Sequence, residues 1–106
     1  MQMQNTYLRK KYLIQKHKLM EKRIGTITII IYCRQIVGQV NEIISKYSDF
    51  ILARQGLPLP DKGLSIITLI IETTSDNINA LTGSLGRLKD VEVKSILSKK
   101  IVETNK

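Results

Sequence analysis

The sequence predicts an α+β domain with elements in the order β-α-β-β-α-β, and three observations carry that expectation. Two runs of β-branched and aliphatic residues, at 24–32 and 64–71, read as strands. Each run is followed by apolar residues at helical spacing, first Ile36, Val37, Val40, Ile43, Ile44 and Tyr47, then Ile78, Leu81, Leu85 and Leu88. Between these halves lies a stretch marked by Gly56, Pro58, Pro60 and Gly63, the composition of a connection.

Strand β1 is expected over 24–32, where Ile-Gly-Thr-Ile-Thr-Ile-Ile-Ile-Tyr is β-branched or aromatic except at Gly25. Helix α1 follows over 36–47 and is interrupted at Ser48 and Asp49. A short strand β2, 50–54, ends near Gly56, because the fixed φ and missing N–H of Pro58 and Pro60 break a ladder. Strand β3 takes 64–71. Thr74, Ser75 and Asp76 offer capping oxygens and a negative charge at the start of helix α2, which reaches about Leu88. Gly83 and Gly86 cost that helix about 1 kcal/mol each relative to alanine, so a steric use is expected, in close packing on the sheet or on another subunit. Lys89 and Asp90 turn the chain into β4, 91–97, and residues 99–106 read as a polar tail.

This order is the ferredoxin-like pattern, and right-handed crossovers that each skip a strand give an antiparallel sheet ordered 4-1-3-2 with both helices on one face. The central strands carry apolar residues on both faces, with Ile27, Ile29, Ile31, Ile67, Leu69 and Ile71 on one and Ile30, Tyr32, Ile66 and Ile70 on the other. A sheet covered by helices on one side ordinarily shows water a polar second side. A second copy of the chain is therefore expected to cover the open face through Ile30, Tyr32, Ile66 and Ile70, as a homodimer or a dimer-based tetramer.

At 106 residues, 42% hydrophobic and 25% charged, the chain fits one globular domain of residues 21–98 that buries roughly 60–65% of its unfolded surface. No run approaches the ~20 apolar residues that span a bilayer, and the start is too basic for a signal peptide, so a cytoplasmic protein without a membrane partner is expected. One cysteine, Cys33, and one histidine, His17, exclude an internal disulfide and a Cys/His zinc cluster; neither a metal nor a cofactor is expected.

The formal charge is +8, and residues 1–20 supply five of those charges through Arg9, Lys10, Lys11, Lys16 and Lys18, with no acid. Such an arm suits non-specific contact with nucleic-acid phosphates. The plainer reading is a passive or disordered extension, or an in-frame addition to a chain that starts at Met20. The spacing of Leu8, Tyr12 and Leu13 supports at most a marginal helix without tertiary contacts.

The candidate ligand site is the β1–α1 connection, Cys33, Arg34 and Gln35, where a strand end meets the N–H groups of a helix start. Arg34 offers a bidentate contact to a carboxylate or phosphate, and Cys33 a thiol. Arg54 and Gly56, leaving β2, are candidates for lining a pocket between subunits. No catalytic residues are assigned: nothing places a base beside Ser45, Ser65 or Cys33, and Glu42 and Asp49 form no inferable carboxylate pair. Acylphosphatases share the topology but need a glycine-rich β1–α1 loop, and here the first glycine after β1 is Gly38. RNA-recognition domains present stacking aromatics on the central strands, whereas β1 offers Tyr32 alone and β3 none.

The stretch Glu21-Lys22-Arg23-Ile24-Gly25-Thr26-Ile27-Thr28-Ile29-Ile30-Ile31-Tyr32, followed by Val40-Asn41-Glu42-Ile43, Arg54-Gln55-Gly56-Leu57-Pro58, Gly63-Leu64-Ser65-Ile66-Ile67 and Ala80-Leu81-Thr82-Gly83-Ser84-Leu85-Gly86, resembles the small ACT-like proteins known as iron-only hydrogenase system regulators. The resemblance covers about residues 20–97. It implies an oligomeric ACT-like domain related to the ligand-sensing domain of nickel-responsive repressors, with a regulatory role and no catalysis. Two departures limit it. Residues 20–106 contain no histidine, so nickel sensing by that repressor's ligands is not implied, and the residues before β1 are too few for its ribbon-helix-helix DNA-binding domain. The family commonly has an acidic residue where this chain has Cys33. The expected function is thus a ligand- or partner-sensing regulator, with a basic-armed nucleic-acid-binding protein as the alternative.

Overall fold

The computed structural model describes the backbone of residues 5–100 and the side chains of residues 5–14 and 21–100. The four strands are β1 (Lys22–Ile31), β2 (Ile51–Leu59), β3 (Leu64–Thr74) and β4 (Val91–Leu97), all paired antiparallel in the order β2-β3-β1-β4. Read from the other edge, this is the expected 4-1-3-2. The α-helices of the domain are α1 (Val37–Ser45), entered through a 3-10 turn at Arg34–Ile36, and α2 (Ser75–Gly86). A further helix, Thr6–Met20, precedes β1; Asn5 caps it by accepting from the N–H of Tyr7 at 2.9 Å.

The core follows from register. Ile27 faces Leu69, Ile29 faces Ile67, and Gly25 faces Ile71 across β1 and β3. Against this plane the helices drive Val40, Ile44, Ile78, Leu81 and Leu85, each at most 2% exposed. Gly25 permits a close approach: a β-carbon there would meet the Ile78 side chain at 3.1 Å and the Ile96 carbonyl oxygen at 3.3 Å, so its neighbours on α2 and β4 would have to give by a few tenths of an ångström. Thr74 caps α2, its hydroxyl accepting from the Asn77 N–H at 3.2 Å, and the Asn77 amide donates to Thr73 at 2.9 Å.

Two expectations need correction. Strand β2 does not stop near Gly56 but runs to Leu59, pairing Leu57 with Ile66 and Pro58 with Ser65. It is an edge strand, where a proline whose missing N–H faces away from the neighbour leaves the ladder intact. The steric reading of Gly83 and Gly86 finds no support within the chain: both are exposed, a β-carbon at Gly83 would meet only the Arg87 guanidinium at 3.9 Å, and one at Gly86 would meet nothing within 4 Å. Of the polar tail, residues 101–106 lie outside the described residues, as do the side chains of Lys16, His17 and Lys18.

Replacement of the fully buried Leu81 by alanine removes its contacts with the sheet and is expected to lower the unfolding free energy by about 2–5 kcal/mol. Gly83→Ala, which gains helix propensity and meets open space, is expected to raise it by about 0.5–1 kcal/mol. Urea denaturation followed by far-UV circular dichroism measures both.

Candidate functional site

Past Ile31 the chain leaves the sheet but stays tethered to it. The Tyr32 N–H donates to the carbonyl of Asp90 at 2.9 Å, and the Tyr32 hydroxyl donates to the Glu92 carboxylate on β4. Asp90 makes this possible with φ 62°, a left-handed conformation that a short polar side chain tolerates in a tight turn. The Ile36 N–H then donates to the Cys33 carbonyl at 3.2 Å, closing the 3-10 turn that aims Arg34 outward.

Facing this turn is the β2–β3 connection. Pro60 opens a second 3-10 turn, and Gly63, at φ 69°, ends it with its N–H donating to the Pro60 carbonyl at 3.1 Å. Between the two turns lies a cleft of about 580 Å³ at the end of the sheet. Ile31, Val37, Leu64, Pro58 and Pro60 form its apolar walls, and Tyr32, Cys33, Arg34 and Ser65 supply its polar side chains. Its volume falls within the range of ordinary small-molecule sites.

Of the residues expected from sequence to contact a ligand, Cys33 and Arg34 line this cleft. Gln35 stands behind it, its Oε1 accepting from the Cys33 thiol at 3.0 Å. Arg54 and Gly56 lie outside the lining, because both sit farther along β2; Arg54 pairs with Leu69, on the helix-covered side, and its guanidinium donates to the Asn41 side chain of α1. Sequence reasoning missed the opposite wall, Pro58, Pro60, Leu64 and Ser65. The signal lies in the proline- and glycine-marked connection, whose composition by itself marks only a break between halves.

Arg34 differs from the other arginines near the sheet. Arg23 donates to the carbonyls of Ser98 and Lys99, and Arg54 is held by Asn41, whereas the exposed Arg34 guanidinium has no hydrogen bond or ion pair among the described residues. The cleft thus presents an uncommitted cation above an apolar floor. Nothing beside Cys33 or Ser65 serves as a base, and no cluster of three His, Cys, Asp or Glu side chains occurs among the described residues.

The second surface of interest is the side of the sheet away from the helices. Ile30 and Ile66 face each other there, flanked by Leu57 on β2 and Glu92 on β4; the next row but one brings Ala53, Ile70, Thr26 and Ile96 together. Ile70 is 39% exposed, Tyr32 48%, Leu57 52% and Ile96 72%. Thr28, Thr68 and Gln55 lie between these rows, and the charged residues Lys22, Glu72, Glu92 and Lys94 stand toward the margins, two of each sign.

The hydrogen bond to Glu92, then partial removal from water and last the adjacent carboxylate charge, raise the Tyr32 pKa above the ordinary value of 10.0. The bond is available while the phenol keeps its proton, so its contribution is intact below about 10 and fades as pH rises past that value. Glu92→Ala is expected to move Tyr32 ionisation down toward the ordinary value, as read from the Tyr32 ring resonances in a pH titration.

Comparison with known proteins places this architecture. No helix among the described residues is long and apolar enough to cross a membrane. A search of curated proteins finds no match. Among solved structures, the chain is similar to "uncharacterized protein TM1266 from Thermotoga maritima", with 38% sequence identity, a TM-score of 0.71, and coverage of 74% of this chain and 100% of that one. The family model TM1266-like, described as "Iron-only hydrogenase system regulator, putative", matches residues 23–95, from the second residue of β1 into β4. The chain therefore belongs to the TM1266-like family.

Proposed function

We propose that the chain is a non-catalytic cytoplasmic regulator that senses a small ligand and works as a homo-oligomer. The observation that carries the sensing role is the cleft in which the uncommitted Arg34 overhangs apolar walls without an acid–base or nucleophile–base pair. The family description supplies the regulatory context, the iron-only hydrogenase system.

The partner that fits the open face is a second copy of the chain. With four strands about 4.8 Å apart and central strands about 33 Å long, the face projects roughly 600 Å², and its corrugated side-chain surface is larger. That is close to the ~800 Å² per partner of a stable interface. Its centre is neutral and its marginal charges are balanced, so a second copy meets no net repulsion, and a polyanion finds no basic field there. Burying Ile30, Tyr32, Ile66 and Ile70 is worth on the order of 6–12 kcal/mol before the costs of association.

One observation favours a second reading beside this one. Residues 5–14 are exposed throughout, so Arg9, Lys10 and Lys11 project into solvent from the helix Thr6–Met20. With Lys16 and Lys18 from the same segment, it suits sequence-independent contact with nucleic-acid phosphates.

Two measurements test these readings. Light scattering at micromolar concentration is expected to show a dimer or tetramer for the full chain and a monomer or precipitate for Ile30→Lys; a monomeric parent chain contradicts the oligomer. If the five basic residues of 1–20 all meet duplex DNA, log K falls with log salt at a slope of about −4 to −5 per chain, and replacing the five by glutamine abolishes most of it. Equal slopes for the two proteins remove the arm from any DNA contact.

A further inference from the structure

We infer that the cleft is selective for a monoanion with a flat or branched apolar body and against the corresponding zwitterion or neutral compound. This rests on the sensing role proposed above and specifies the chemistry of that same site. The charged side chain in the lining is a single cation, Arg34, and no carboxylate lines the cleft among the described residues. The carboxylate bonded to a lining residue is Glu92, and it already accepts the Tyr32 hydroxyl.

The walls set the rest of the ligand. Pro58 and Pro60 present rigid ring faces, Leu64 and Val37 present branched aliphatic groups, and Ile31 closes the floor at 2% exposure. A carboxylate or similar oxyanion docked on Arg34 places its substituent among these groups, where leaving water is favourable. An α-ammonium group on the same molecule would be drawn out of water with no anionic side chain to receive it, and it would face the Arg34 charge at short range. An uncharged analogue keeps the apolar contacts but loses the charge-assisted pair. Arg34 is exposed and makes no internal bond, so removing it leaves no buried group unsatisfied.

The test uses the full chain and three probes of one shape: 3-phenylpropanoate, 3-phenylpropanamide and phenylalanine. Amide resonances of Cys33, Arg34, Val37, Leu64 and Ser65 report occupancy in a ¹⁵N–¹H titration. The expected result is saturable shifts of these resonances by 3-phenylpropanoate, with a dissociation constant about tenfold or more below those of the other two. Arg34→Gln is expected to weaken the carboxylate to the level of the amide while leaving amide binding within about twofold, the split that distinguishes an anion contact from general damage to the fold. Equal binding of the propanamide, tighter binding of phenylalanine, or a carboxylate affinity unchanged in Arg34→Gln overturns the selectivity and leaves the sensing reading standing. Absence of saturable shifts at the cleft with all three probes overturns both.

Discussion

Two helices cover one face of a four-stranded sheet and no more, and this geometric limit organises the whole molecule. On the covered face, Ile27, Ile29, Ile67, Leu69 and Ile71 meet Val40, Ile44, Ile78, Leu81 and Leu85 in one contiguous core. At Gly25 the approach is close enough that α2 and β4 crowd the β1 backbone from two sides. On the other face the same two central strands present Ile30, Ile66 and Ile70 with no element of the domain above them. A chain that makes both faces of its central strands apolar has a core on one side and an exposed apolar surface on the other.

The cleft depends on the same arrangement. Because β1 and β3 are central neighbours, the end of β1 and the start of β3 emerge side by side, and whatever connects β2 to β3 must pass near the entrance to α1. Pro60 and Gly63 make that connection a tight 3-10 turn rather than a loose loop, and the Tyr32–Asp90 bond keeps the opposite wall tied to the sheet. The site is therefore held by backbone geometry on both sides, the condition under which a single exposed arginine can act as a defined recognition group. Tyr32 belongs to both surfaces: it lines the cleft, and its hydroxyl is bonded to Glu92 on the open face.

Much of the fold was legible because local preferences and tertiary structure agree. Strand β4 has the expected bounds, Val91–Leu97, and Thr74 caps α2 as its hydroxyl suggests. The extent of β2 was not legible, because Pro58 ends a central strand but not an edge strand, and edge position is a property of the sheet rather than of the segment. Gly83 illustrates a different limit: its cost in helix propensity is visible in sequence, while the open space around it is not. At the site, Cys33 and Arg34 were accessible from their place between strand and helix. The exclusion of Arg54 and the inclusion of Ser65 depend on register, which sets Arg54 opposite Leu69 in the middle of the sheet and Ser65 opposite Pro58 and Ile31 at the end where the cleft opens.

The claim on which the account turns is that the open face is covered in solution, and solvent accessibility of its methyl groups measures this directly. With a soluble gadolinium chelate added to the methyl-labelled full chain, the account predicts that the Ile30, Ile66 and Ile70 methyls relax as slowly as those of the core residues Ile27 and Ile29. Rapid relaxation of Ile30, Ile66 and Ile70, with Ile27 and Ile29 still shielded, would show a folded domain whose open face is bare and would contradict it.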